Sequence, residues 1–169
     1  MAEQHGIGSS RAYALVNLAL THQQAGHGPL ALAYAQRARD EPAAELAVLL
    51  SADAVAVRVA IAGGALERAS QALTTLAQRA RSTGLHAALL EAVSCHASLL
   101  AAQGWRDAAL ARLAYLVAHA QQPAMARDDA QQALQRLLPQ PQELQRAEAA
   151  ACGFELELLI EQALDGALP

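Results

Sequence analysis

The sequence predicts an all-α protein, built as an α-solenoid of about three helical hairpins with capping helices at the C-terminal end. Its composition, its helix-breaking residues and a repeat of small residues indicate this fold. Of the 169 residues, 44 are alanine and 28 are leucine, whereas aromatic residues make up only 3%. Alanine and leucine are strong helix formers, and a pleated sheet would need more β-branched and aromatic side chains.

Glycine and proline divide the chain into nine predicted helices. We expect Ser9 or Ser10 to cap the first helix, and Pro29 and Pro42 to open the second and third. The helices are predicted at about 10–25, 29–40, 42–63, 65–82, 85–103, 105–121, 123–138, 141–151 and 155–164. Since the connections are short, neighbouring helices should pack antiparallel. This organisation predicts a flexible N-terminus (1–9), three hairpins (10–121) and C-terminal capping helices (122–169).

Small residues recur with a period near 40. The turn glycines Gly26, Gly64 and Gly104 are 38 and 40 residues apart, and apolar residues stand seven before and five, nine and twelve after each. A glycine permits the left-handed turn that ends a helix, and an alanine allows two helices to approach closely. The pattern therefore predicts stacked hairpins. The twelve apolar positions are Ala19, Val57 and Ala97; Ala31, Ala69 and Ala109; Ala35, Leu73 and Leu113; and Ala38, Leu76 and Leu116.

These residues resemble the pattern of the tetratricopeptide repeat (TPR) family. The clearest match is Leu15–Ala38, followed by Ala56–Leu76 and Val93–Leu116, although the repeat is longer than the usual 34 residues. Longer repeats of this kind, and the closing segment from Cys152, resemble the C-terminal repeat regions of MalT-like and SARP-like bacterial transcriptional regulators. The resemblance implies a non-catalytic module for protein–protein interaction that forms the regulatory repeat domain of such a regulator.

Charge and motifs exclude several function classes. The formal net charge is −4 and lysine is absent, so the sequence offers no basic stripe for nucleic acid and no attraction to an anionic membrane. No Walker, H-E-x-x-H or G-x-S-x-G motif occurs. We therefore expect no catalytic residue, no cofactor and no metal. Cys95 and Cys152 are predicted to be small core residues in a reducing cytoplasm.

Several single residues carry weaker chemical signals. His22 and His27 lie five residues apart across a helix end, which is not a zinc-binding motif. We expect His96 to be partly buried and hydrogen-bonded to backbone, and Trp105 to pack over its turn. The acidic pairs Asp128–Asp129 and Glu155/Glu157 are predicted to be solvated.

The predicted binding surface is the concave face, which the first helix of each hairpin lines. A protein or peptide partner would lie there. The candidate partner-binding residues are Tyr13, Asn17, Gln24, Arg58, Glu91, Ser94 and Ser98, with Leu20, Ser51 and Ile61 beside them. Three alternatives stay open: a small-molecule-sensing or enzymatic helical domain with a pocket between helices, a homodimer formed through an uncapped solenoid end, and a groove that the C-terminal helices cover.

Overall fold

The structure is a computed structural model that describes residues 2–119, 124–137 and 139–165; within these ranges it consists of nine α-helices and no strand. The predicted all-α class is confirmed. None of the described helices has the length and apolarity needed to cross a membrane. The helices are α1 (Ala2–Gln24), α2 (Gly28–Arg39), α3 (Leu46–Ala62), α4 (Leu66–Thr83), α5 (His86–Ala102), α6 (Arg106–His119), α7 (Ala124–Leu137), α8 (Pro141–Ala151) and α9 (Leu156–Asp165).

The chain forms two compact units, and the boundary between them in the sequence falls within α4. Unit 1 covers residues 1–76 and unit 2 covers residues 77–169. In unit 1, α1 packs against α2 and α3, and α2 packs against α3. In unit 2, α6 packs against α5, α7 and α8, while α5 also contacts α7 and α9. Helix α5 is buried around most of its circumference, as expected for a helix that packs against several others.

Two predicted helix starts are wrong. Helix α1 begins at Ala2, so Ser9 and Ser10 lie inside the helix and cap nothing. The hydroxyl of Ser9 donates instead to the carboxylate of Glu45. Helix α3 begins at Leu46 and not at Pro42, because residues 40–45 form a turn that ends in the extended backbone of Glu45.

Three turns close α1, α3 and α5 with the same hydrogen bonds. Gly26, Gly64 and Gly104 have φ angles of 78°, 70° and 90°, so the left-handed turn glycines are confirmed. Each glycine N–H donates to the carbonyl three residues back, and the next N–H donates to the carbonyl five residues back. These two bonds define the Schellman motif, which satisfies carbonyl groups left open at a helix end.

The repeated apolar positions are buried as predicted. Ala31, Ala69 and Ala109 are 0% exposed, and the other nine positions of the pattern are at most 2% exposed. Ala31, Ala69 and Ala109 each stand five residues after a turn glycine. The N–H of each of them donates to the carbonyl of the residue that directly follows that glycine. The alanine therefore stands at the same place in the first turn of α2, α4 and α6.

Enlarging a turn alanine should destabilise the protein. We expect Ala109→Leu to lower the free energy of unfolding by about 1–3 kcal/mol, because the added methyl groups have no space in a packed core. The matched control is Ala149→Leu on the exposed side of α8, which should be nearly neutral. Urea denaturation followed by fluorescence of the single tryptophan, Trp105 in unit 2, measures both. Equal midpoints for the two variants would contradict the packing assigned to Ala109.

Candidate functional site

Helix α1 of unit 1 carries four predicted surface residues in one stripe. Tyr13, Asn17, Leu20 and Gln24 are spaced by four, three and four residues, which places them on one side of a helix. Tyr13 is 39% exposed, Asn17 and Gln24 are exposed, and Leu20 is half-buried. The stripe therefore offers hydroxyl and amide groups beside apolar surface.

A hydrogen bond joins this stripe to the start of α3. The Tyr13 hydroxyl donates to Glu45, the N-cap residue of α3, at 3.1 Å. Bonds from Ser9 and then Tyr13 lower the pKa of the Glu45 carboxyl, and the bond to Glu45 is the main reason that the pKa of Tyr13 is raised. Arg11 adds an ion pair to Glu41 at 3.0 Å in the turn before α3. These contacts hold the exposed side of α1 next to the beginning of α3.

Three further candidates lie on α3. Ser51, Arg58 and Ile61 are half-buried and are spaced by seven and three residues, so they also share one side of a helix. Since α1 and α3 pack against each other, unit 1 carries both stripes on neighbouring helices. We call these seven residues the α1–α3 face; its members are Tyr13, Asn17, Leu20, Gln24, Ser51, Arg58 and Ile61.

The candidates on α5 belong to unit 2. Glu91 and Ser98 are half-buried, whereas Ser94 is only 7% exposed. The Ser98 hydroxyl donates to the carbonyl oxygen of Ser94 at 3.0 Å, a bond within one helix. Ser94 therefore contributes little to a surface, and Glu91 and Ser98 are the accessible members of the group.

Unit 2 contains a buried pair of basic side chains that sequence reasoning did not identify. His96 is 3% exposed, so it is buried more fully than predicted. The predicted backbone hydrogen bond is absent at Nδ1, which has no partner among the described residues. Burial, and secondarily the charge of Arg112, lowers the pKa of His96 from 6.5 to about 4. Arg112 is 2% exposed and donates to the Ala108 carbonyl (3.0 Å) and the Gln162 side chain (2.7 Å). Burial also lowers the pKa of Arg112.

A cavity of about 250 Å³ lies among α6, α7 and α8 in unit 2. Most of its lining is apolar, and the polar side chains are those of His119, Glu148 and Cys152. Cys152 is exposed because it follows the last residue of α8, which corrects its prediction as a core residue; Cys95 is buried as predicted. The lining residues are Ala114, Val117, Ala118, His119, Leu134, Leu144, Glu148, Ala151 and Cys152.

The ring of His119 is oriented by Tyr115. Its Nδ1 lies 3.0 Å from the Tyr115 carbonyl oxygen, and the two rings stack at 4.3 Å between centroids. Because a carbonyl only accepts, Nδ1 must carry the proton, which leaves Nε2 of a neutral ring as an acceptor. Burial raises the pKa of the Tyr115 hydroxyl. His119 thus adds an oriented hydrogen-bonding group to the cavity lining.

The first turn brings His22 and His27 together. Their Nδ1 atoms are 3.5 Å apart, and the His22 ring stacks on Tyr34 at 5.3 Å between centroids. Sequence reasoning separated these histidines because it treated the helix end as a boundary. The signal that identifies them is their spacing of five residues across a turn glycine. Among the described residues, no three His, Cys, Asp or Glu side chains are grouped to hold a metal ion.

The remaining single-residue predictions have mixed outcomes. Glu155 and Glu157 are exposed as predicted. Asp129 is half-buried, and the side chain of Asp128 lies outside the described residues. Trp105 is 42% exposed, so much of its indole faces solvent, and its packing over the turn stays a prediction.

Comparison with known proteins gives no match to a family model, a curated protein or a solved structure. The resemblances to TPR proteins and to bacterial regulators therefore stay predictions from the residues.

Proposed function

We propose that the chain is a non-catalytic, TPR-like α-solenoid that binds a protein or peptide partner. The observation that carries this proposal is the recurrence of one local structure: a Schellman turn followed at a fixed distance by a buried alanine, three times along the chain. A single helix pair of this kind leaves an apolar side uncovered, so successive pairs stabilise one another by stacking. Repeats of this type present extended surfaces to partners.

The proposed binding surface is the α1–α3 face of unit 1. Tyr13, Asn17 and Gln24 present groups that hydrogen-bond to a peptide backbone, while Leu20 and Ile61 add apolar contact. Arg58 contributes a positive charge that attracts a carboxylate of the partner. We infer a partner segment that carries an acidic residue among small apolar ones. On the resemblance alone, we place the module in the cytoplasm as the repeat domain of a bacterial transcriptional regulator.

Charge reversal on this face should weaken peptide binding. Peptides selected from a displayed library against the wild-type chain should lose at least about tenfold in affinity with Arg58→Glu, because a charge pair becomes a repulsion. Arg68→Glu, at an exposed position of α4 within unit 1, makes the same charge change elsewhere and should bind as wild type. Calorimetry measures the affinities, and circular dichroism checks the fold. Equal binding by all three proteins would exclude the α1–α3 face.

The cavity in unit 2 favours a second function, small-molecule sensing. Its volume of about 250 Å³ is close to the lower end of ligand pockets, and its apolar wall carries the three polar side chains that such a pocket needs for orientation. Leu144→Trp, which fills the cavity, distinguishes the two functions when calorimetric titrations with the selected peptides and with small apolar molecules are compared between this variant and wild type. A peptide module keeps its affinity in this variant, whereas a ligand sensor loses its small molecule.

A further inference from the structure

The first Schellman turn differs from the other two at one pair of positions. In this motif the residue after the glycine lies next to the residue five positions before it. A hydrophobic contact between these two residues is frequent. The second turn has Ala60 and Ala65 there, and the third turn has Leu100 and Trp105. The corresponding residues of the first turn are two histidines, His22 and His27. The turn that elsewhere has two apolar residues at these positions has two histidines here.

The turn holds these two imidazoles at the separation of metal ligands. The N–H of His27 donates to the carbonyl of His22 at 2.8 Å, so the turn fixes the backbone positions from which the two imidazoles extend. Their Nδ1 atoms are 3.5 Å apart. Two nitrogens bound to one tetrahedral zinc ion at the usual bond length are about 3.3 Å apart. The observed separation of the two Nδ1 atoms is therefore within a few tenths of an ångström of the separation of two ligands on one ion.

The surroundings orient the rings and leave them accessible. Tyr34 of α2 stacks on the His22 ring with an interplanar angle of 1°, which restricts the rotation of that imidazole. Groups that orient a metal-binding histidine raise its affinity for the ion. His22 is half-buried and His27 is exposed, so both residues have surface in contact with solvent.

We propose that His22 and His27 form a two-histidine site for a borderline divalent transition metal, with zinc as its representative. Imidazole nitrogen favours zinc, copper and nickel over magnesium and calcium, which prefer oxygen ligands. Because the facing atoms are the Nδ1 nitrogens, the ion binds through Nδ1 and not through Nε2. Water fills the remaining coordination positions. The site is independent of the proposed peptide-binding face.

Titration with zinc chloride tests the site. Calorimetry should show one zinc ion per chain, and ¹⁵N spectra of the histidine rings should shift at the Nδ1 nitrogens of His22 and His27. His22→Gln and His27→Gln should each weaken zinc binding by at least about tenfold, since each removes one of two protein ligands. The matched control His86→Gln changes an exposed histidine elsewhere and should bind zinc as wild type does. Magnesium chloride should produce no binding.

Two results would overturn the proposal. One is the absence of both heat and ¹⁵N shifts when zinc is added to the wild-type chain. The other is undiminished binding by the His22 and His27 variants, which would mean that zinc binds elsewhere. A stoichiometry of one zinc per two chains with the same dependence on both histidines supports the site, with a second copy providing the remaining ligands. The wild-type spectra keep the test decisive even if a variant fails to fold.

Discussion

Unit 2 should lose about 3 kcal/mol of unfolding free energy as the pH falls from 6.5 to 4, because His96 is buried in its neutral form. Burial lowers the pKa of His96 from 6.5 to about 4. Between these two values the unfolded chain binds a proton that the folded chain does not bind. Protonation therefore favours the unfolded state, and the stability present above pH 6.5 is progressively lost on acidification.

The variant His96→Leu should remove this pH dependence. Leucine does not titrate, and the substitution also removes a buried Nδ1 that has no partner among the described residues. We expect the variant to be at least as stable as wild type at pH 7, since an unsatisfied buried polar atom costs stability. Urea denaturation at several pH values, followed by Trp105 fluorescence, measures the effect in the unit that contains His96.

The comparison is cleanest above pH 4.5. The pKa values of Glu45 and Glu143 are lowered by hydrogen bonds, so their contribution to stability is present above their ordinary value of 4.5 and is lost below it. A loss that begins near pH 6.5 therefore reports on histidine. The same slope in wild type and in His96→Leu would show that His96 is not its source.

Asp53→Ala should destabilise unit 1 by about 3 kcal/mol, because it leaves a partly buried guanidinium without its carboxylate. Asp53 is 4% exposed, and its Oδ1 accepts a hydrogen bond from Nη2 of Arg39 at 2.7 Å. The same nitrogen donates to the carbonyl of Ala52 at 3.0 Å. This ion pair joins α2 to α3, and the Arg39 side chain is only 27% exposed, so water replaces the lost carboxylate incompletely.

Hydrogen exchange followed by mass spectrometry measures this effect within unit 1. Peptides from α2 and α3 should exchange faster in Asp53→Ala than in wild type, and Asp53→Asn should show a smaller change because its amide oxygen still accepts the hydrogen bond. The double variant Arg39→Met with Asp53→Leu removes both charges and should regain most of the protection. Equal exchange in Asp53→Ala and wild type would contradict the structural role of the pair.

The fold was predictable where the backbone conformation depends on nearby residues. The glycines at 26, 64 and 104 adopt the left-handed conformation, and the apolar residues placed relative to them are buried. The start of α3 was not predictable from Pro42, because the turn at residues 40–45 depends on contacts of Glu41 and Glu45 with α1. Similarly, serine is a favourable N-cap residue, yet the hydroxyl of Ser9 donates its hydrogen bond to Glu45, which is far away in the sequence.

The functional candidates divide in the same way. Helical spacing alone was sufficient to group Tyr13, Asn17 and Gln24 on one exposed stripe. It could not show that His22 and His27 meet, because their contact requires the chain to reverse direction between them.

Composition and the spacing of small residues were enough to establish the helices, most of their approximate ends and the repeated buried positions, because each depends on backbone preferences and on the period of a helix. The partners of polar side chains required the folded chain. The pairing of Arg39 with Asp53, the burial of His96 beside Arg112 and the cavity among α6, α7 and α8 all join residues from different helices. No local preference encodes such distances, since they are set by how whole helices pack.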